Sequence, residues 1–152
     1  MRAIFIAAAL LALAAPATAQ DYNASAFYGD VRLSPGFTPD PHLMALQAGG
    51  SIDASTRESG CTGYISEAPD VRLYWEGQGT LPLRISAISN ADVTLVVNGP
   101  NGDWYCDDDS GEDANPSVPL KATAGRYEIW VGTYSSGSIK SAVVSISEVQ
   151  SF

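Results

Sequence analysis

Apolar residues in this chain alternate with polar ones at every second position, in short runs that proline and glycine keep interrupting. The pattern is clearest in residues 71–75 (VRLYW), 81–89 (LPLRISAIS), 92–98 (DVTLVVN), 126–134 (RYEIWVGTY) and 140–148 (KSAVVSISE). A period of two places the apolar side chains on one face of an extended strand, and no segment after the first twenty residues carries the competing helical period. Shorter strands are expected at 51–54, 62–65, 103–106 and 117–121. Turn formers separate them, such as Gly77-Gln78-Gly79, Asn98-Gly99-Pro100-Asn101-Gly102 and Ser135-Ser136-Gly137. Eight or nine short strands without helices predict an all-β fold, an antiparallel β-sandwich of jelly-roll-like form. Leu83, Ile85, Val93, Leu95, Val97, Ile129, Val131 and Val144 occupy its expected core.

Three segments follow from this reading. Residues 1–19 hold one Arg, an apolar run and Ala17-Thr18-Ala19 at their end, the pattern of a cleaved secretory signal peptide. The run is shorter than the ~20 residues that cross a bilayer, and Pro16 interrupts it, so no membrane insertion is expected after cleavage. Residues 20–50 are rich in Pro, Gly and Ser without sustained periodicity; they read as an extended N-terminal arm with one strand near residues 30–33. Residues 51–152 form the β-sandwich domain. The expected location is a periplasm or the medium.

Charge narrows the partners. The chain has 17 acidic residues against 8 basic ones, and Arg2 leaves with the leader. The mature protein is therefore strongly acidic, which opposes nucleic acids and anionic membranes and suits a cation. Cys61 and Cys106 are its two cysteines, and in an oxidising compartment a disulfide between them is expected. Nucleophilic catalysis is hard to assemble, because the single histidine, His42, falls on the irregular arm. Zinc lacks its preferred ligands for the same reason. A hydrolase on a pair of carboxylates stays open as a minor reading, since the acids are numerous.

The densest chemical signal is DWYCDDDSGEDANP, residues 103–116, with six carboxylates in fourteen residues. Asp107, Asp108, Asp109, Glu112, Asp113 and Asn115 supply hard oxygen donors on a loop that Gly111 lets turn, and calcium takes six to eight such oxygens. The competing reading is a solvated acidic loop that binds nothing. A second candidate is aromatic: Tyr74, Trp130 and Tyr134 alternate with apolar neighbours, so some of them leave the core face. There they either stack on a sugar or peptide, or lie covered beneath a loop.

The succession LRISAISNADVTLVVNGPNGDWYCDDDSGEDANP followed by AGRYEIWVGTY resembles the bacterial pre-peptidase C-terminal domain, a β-sandwich module that accompanies many secreted proteases. GFTPDP, AGG and CTGYISEAPDVRLYW further resemble short secreted proteins of Gram-negative bacteria that carry this domain alone. The resemblance implies a non-catalytic accessory or binding module, with Asp107, Asp108 and Asp109 as the positions of a structural calcium loop. With only a leader and a short arm upstream, a processed appendage of a protease is not expected. An extracellular protein or a polysaccharide is the expected partner, the polysaccharide or a peptide being held in lectin-like fashion by the aromatic face.

Overall fold

The computed structural model describes residues 24–150; the signal-peptide segment lies outside them. Among the described residues there are eleven strands and two three-residue 3₁₀ turns. In chain order the strands are β1 (Asp30–Leu33), β2 (His42–Ala48), β3 (Ile52–Asp53), β4 (Tyr64–Ile65), β5 (Val71–Trp75), β6 (Leu83–Ile88), β7 (Val93–Asn98), β8 (Trp104–Asp107), β9 (Ser117–Leu120), β10 (Gly125–Thr133) and β11 (Lys140–Ser147).

They build the two layers of a β-sandwich. The larger sheet runs β1-β5-β10-β7-β8, and the short β4-β3 pair continues along β10 beyond the end of β5. The smaller sheet is ordered β2-β11-β6-β9. All pairings within these sheets are antiparallel except β1 with β5, which is parallel. The number of strands exceeds the expected eight or nine. Residues 20–50 differ most from the sequence reading, because this segment places one strand in each sheet. β2, carrying His42, had no counterpart in the pattern; it pairs along its whole length with β11.

Alternation explains which side chains meet between the layers. From the larger sheet come Leu73, Trp75, Leu95, Val97, Ile129 and Val131, and from the smaller sheet Leu46, Leu83, Ile85, Val144 and Ile146, all in one buried cluster. Each of the eight expected core residues falls in that cluster. Opposite them, on the outer face of the larger sheet, lies a second and smaller cluster of Ala54, Cys61, Ile65, Val96 and Trp130.

Three carboxylates, those of buried Asp70 and Glu148 and half-buried Asp40, tie the chain down where it leaves the sheet. Between Ile129, the last β10 residue paired with β5, and Thr133, paired with β4, the β10 backbone has no strand partner on that side. Asp70 fills the gap: its backbone N–H donates to Ile129 O, and its Oδ2 accepts the Val131 N–H at 2.7 Å. At the arm, Asp40 accepts from the Ser147 hydroxyl and the Glu148 N–H, while the Glu148 carboxylate accepts the Gly36 N–H. These contacts fasten residues 36–40 to the end of β11.

Candidate functional site

The acidic stretch divides among different tasks. Asp107 ends β8, and its Oδ2 accepts three hydrogen bonds, from Ser110 N (3.1 Å), Ser110 Oγ (2.7 Å) and Ser117 N (2.7 Å). It closes the loop onto the first residue of β9. Asp108 Oδ2 accepts from Thr62 Oγ1 on the neighbouring loop. Asn115 is buried; its Oδ1 accepts the Ser89 N–H and its Nδ2 donates to Glu112 O, with Gly111 N–H to Asn115 O bracing the turn. Asp109 and Asp113 line a separate groove beside Asp92, and Glu112 is exposed. Asp113 and Ala114 both take positive φ there, 53° and 55°. Among the described residues no three His, Cys, Asp or Glu side chains are grouped as metal ligands. Of the six candidate donors, Asp109, Asp113 and Asn115 share that groove, while Asp107 and Asp108 are taken up by hydrogen bonds to Ser110, Ser117 and Thr62.

The three aromatics also part company. Trp130 is fully buried on the outer face of the larger sheet, where Trp104 lies against it with ring centroids 5.6 Å apart. Its cover comes from residues 54–61, which the Cys61–Cys106 disulfide, with Cα atoms 5.2 Å apart, ties to β8. Trp130 thus belongs to the covered alternative and not to an open stacking surface. Tyr134 is 55% exposed just past the end of β10. Tyr74 pairs with Arg126 near the opposite end of that strand, so about 26 Å of strand separates it from Tyr134.

Tyr74 lies instead in a charged surface assembled by strand register. Side chains on the outer face of the larger sheet form a lateral row Asp30–Arg72–Glu128–Asn98–Trp104, each directly opposite the next across β1, β5, β10, β7 and β8. Beside it runs a second row, Arg32–Tyr74–Arg126. Glu128 is the anchor. It is 1% exposed, and its Oε1 accepts from Arg72 Nε at 2.8 Å and Arg126 Nε at 2.9 Å. Burial pushes its carboxyl up from the usual range against the downward pull of the Arg72 hydrogen bond and of both guanidinium charges. Arg72 moves up in turn, chiefly through the hydrogen bond to Glu128. Arg72 also donates to Ala24 O and lies 3.9 Å from Asp30.

The second row is open. Arg32 stacks on Tyr74 with its guanidinium carbon 4.3 Å from the ring centroid, and it pairs with Glu76. Its side chain is 64% exposed and that of Arg126 is 41% exposed. One face thus has two halves: Trp130, Val96 and Cys106 lie under the disulfide-held loop, while Arg32, Tyr74 and Arg126 stand clear of it. The sequence signal for this site is its strand phase, which singles out Tyr74 as an aromatic leaving the core face but not its charged neighbours. Arg72 and Tyr74, and Arg126 and Glu128, hold the off-core phase of the two clearest strands.

No family model matches the chain, and no curated protein matches it. Among solved structures it has a similarity to PliG of Aeromonas hydrophila, a periplasmic inhibitor of g-type lysozyme. The two chains are 13% identical over 78% of this chain and 96% of that one, with a TM-score of 0.39. At that TM-score the likeness assigns neither ligand nor partner here.

Proposed function

We propose that this protein is a secreted, non-catalytic binding module of the bacterial envelope or medium, resembling a stand-alone pre-peptidase C-terminal domain. Its partner, an extracellular protein or polysaccharide, meets the outer face of the larger sheet. The observation that carries this reading is the open row Arg32–Tyr74–Arg126, backed by a buried ion-pair row that holds two of the three strands in fixed register. Preorganised polar and aromatic groups on a rigid sheet lose little entropy when a partner docks. Acid–base chemistry finds poor footing in this molecule. Glu128 is held between two guanidinium groups, and Asp70 is sealed at 2% exposure with its Oδ2 on a backbone N–H.

Co-sedimentation with an insoluble envelope fraction from Gram-negative cells tests the reading. Wild-type protein is expected to sediment, as is Leu43→Glu, a change on the exposed side of the smaller sheet. The double variant Arg32→Glu/Arg126→Glu is expected to stay in solution. Equal behaviour of the two variants would contradict the assignment.

A further inference from the structure

Beside Glu128 the turn between β7 and β8 and the start of β10 enclose an open groove of about 590 Å³. Asn98, Pro100, Asn101, Arg126 and Glu128 are among its lining residues. The groove is built into the backbone. Gly125 sits at φ +140°, and a Cβ there would come within 2.4 Å of Pro100 Cβ, so only glycine lets the turn close this tightly on β10.

Its polar groups are of two kinds. Glu128 Oε2 is buried and has no hydrogen-bond partner among the described residues, although Oε1 of the same carboxylate has two. A buried carboxylate oxygen without a donor is costly, and a ligand that supplies one recovers that cost. Asn98 uses Nδ2 on Gly102 O and Asp103 O, which leaves Oδ1 as an acceptor. Arg126 commits its Nε to Glu128 and carries four further N–H groups on a half-exposed guanidinium.

Acceptors and a cation within one groove select for charge. A ligand cation meets Glu128 and Asn98 favourably but is repelled by Arg126, and a ligand anion suits Arg126 but faces the carboxylate. A neutral group that both donates and accepts satisfies each side, and neighbouring sugar hydroxyls do this. We propose that this groove is the hydroxyl-reading subsite for a neutral polysaccharide, an inference that rests on the outer face being the binding face. One hydroxyl donates to Glu128 Oε2 while accepting from Arg126, and a second donates to Asn98 Oδ1. Trp104, two strands from Glu128 in the same row, is about 10 Å away, the reach of a second sugar residue.

Calorimetric titration with maltoheptaose, cellohexaose and chitohexaose, against oligogalacturonate and hexalysine, tests the proposal. At least one neutral oligosaccharide is expected to bind while the two charged probes do not. Arg126→Met is expected to weaken that binding about tenfold or more, the loss of a charge-assisted hydrogen bond. Leu43→Glu should leave it unchanged, and retained β-sheet circular dichroism excludes misfolding of either variant. Binding of oligogalacturonate or hexalysine in preference to the neutral sugars would overturn the inference, as would neutral binding that Arg126→Met does not weaken. Absence of any saccharide binding would overturn it too. If the envelope fraction still retains wild-type protein and releases Arg32→Glu/Arg126→Glu, the outer face survives that failure with a different ligand.

Discussion

Asp70 does the work of a strand with one side chain, and its proton makes that work depend on pH. Burial raises its pKa from 3.8 to about 7, with the Val131 hydrogen bond opposing the rise. The folded protein therefore holds this proton more tightly than the unfolded chain does. The resulting stability is fully present below about pH 4, declines as pH rises, and is gone above about pH 7. Over that window it amounts to about 4 kcal/mol at 1.36 kcal/mol per pKa unit. In Asp70→Asn the side-chain oxygen still accepts the Val131 N–H without a charge to bury. Urea unfolding should find the variant close to wild type at pH 4 and more stable than wild type at pH 8. A difference that stays constant across this range would mean that Asp70 does not titrate as described.

At the scale of elements, Asp107 closes the acidic loop onto β9, Asn115 braces its turn, and Asp109 makes no comparable bond. Asp107→Ala removes three hydrogen bonds that close the loop on β9 and should cost about 2 to 3 kcal/mol. Asp109→Ala removes a carboxylate with no such bonds and should cost less than about 0.5 kcal/mol. Thermal or urea melts separate the two; equal losses would contradict this division. The disulfide acts on the neighbouring roof. It closes a separation of 45 residues, for which the chain-entropy model gives about 4 kcal/mol. Cys61→Ala/Cys106→Ala should lose up to that amount and shift tryptophan emission to the red as Trp130 is uncovered. An unshifted spectrum would mean that the loop stays in place without its tie.

The same scale separates what the sequence reveals from what it hides. Strands with one buried and one polar face announce themselves, as in residues 71–75 and 126–134. β2 does not, because HLMALQA carries apolar residues on both faces: Leu46 enters the core while Leu43 is more than half exposed on an edge strand. The alternation that marks other strands is thereby erased. The acidic stretch drew attention as a local density of charge, yet hydrogen bonding sends its side chains in different directions. The row Asp30–Arg72–Glu128–Asn98–Trp104 was hidden for the opposite reason. Its members are scattered from residue 30 to residue 128, and only strand register makes them neighbours.

For the whole molecule, stability comes from the two-layer core, the fastened arm and the disulfide. If these three suffice, melting midpoints in millimolar calcium and in EDTA should coincide. A structural calcium ion at a hundred times its dissociation constant would instead add about 2.7 kcal/mol, raising the midpoint by roughly 10 °C for a domain of this size. In the proposed function, the partner meets the face that this frame leaves open. Among the described residues no helix is long and apolar enough to cross a membrane.

The most direct test of that proposal is amide chemical-shift mapping of isotope-labelled protein titrated with polysaccharide solubilised from the envelope fraction. The account predicts perturbations concentrated in β1, β5, the first half of β10 and the turn between β7 and β8. Perturbations confined to the β2-β11-β6-β9 sheet, or to the acidic loop at residues 107–115, would contradict it.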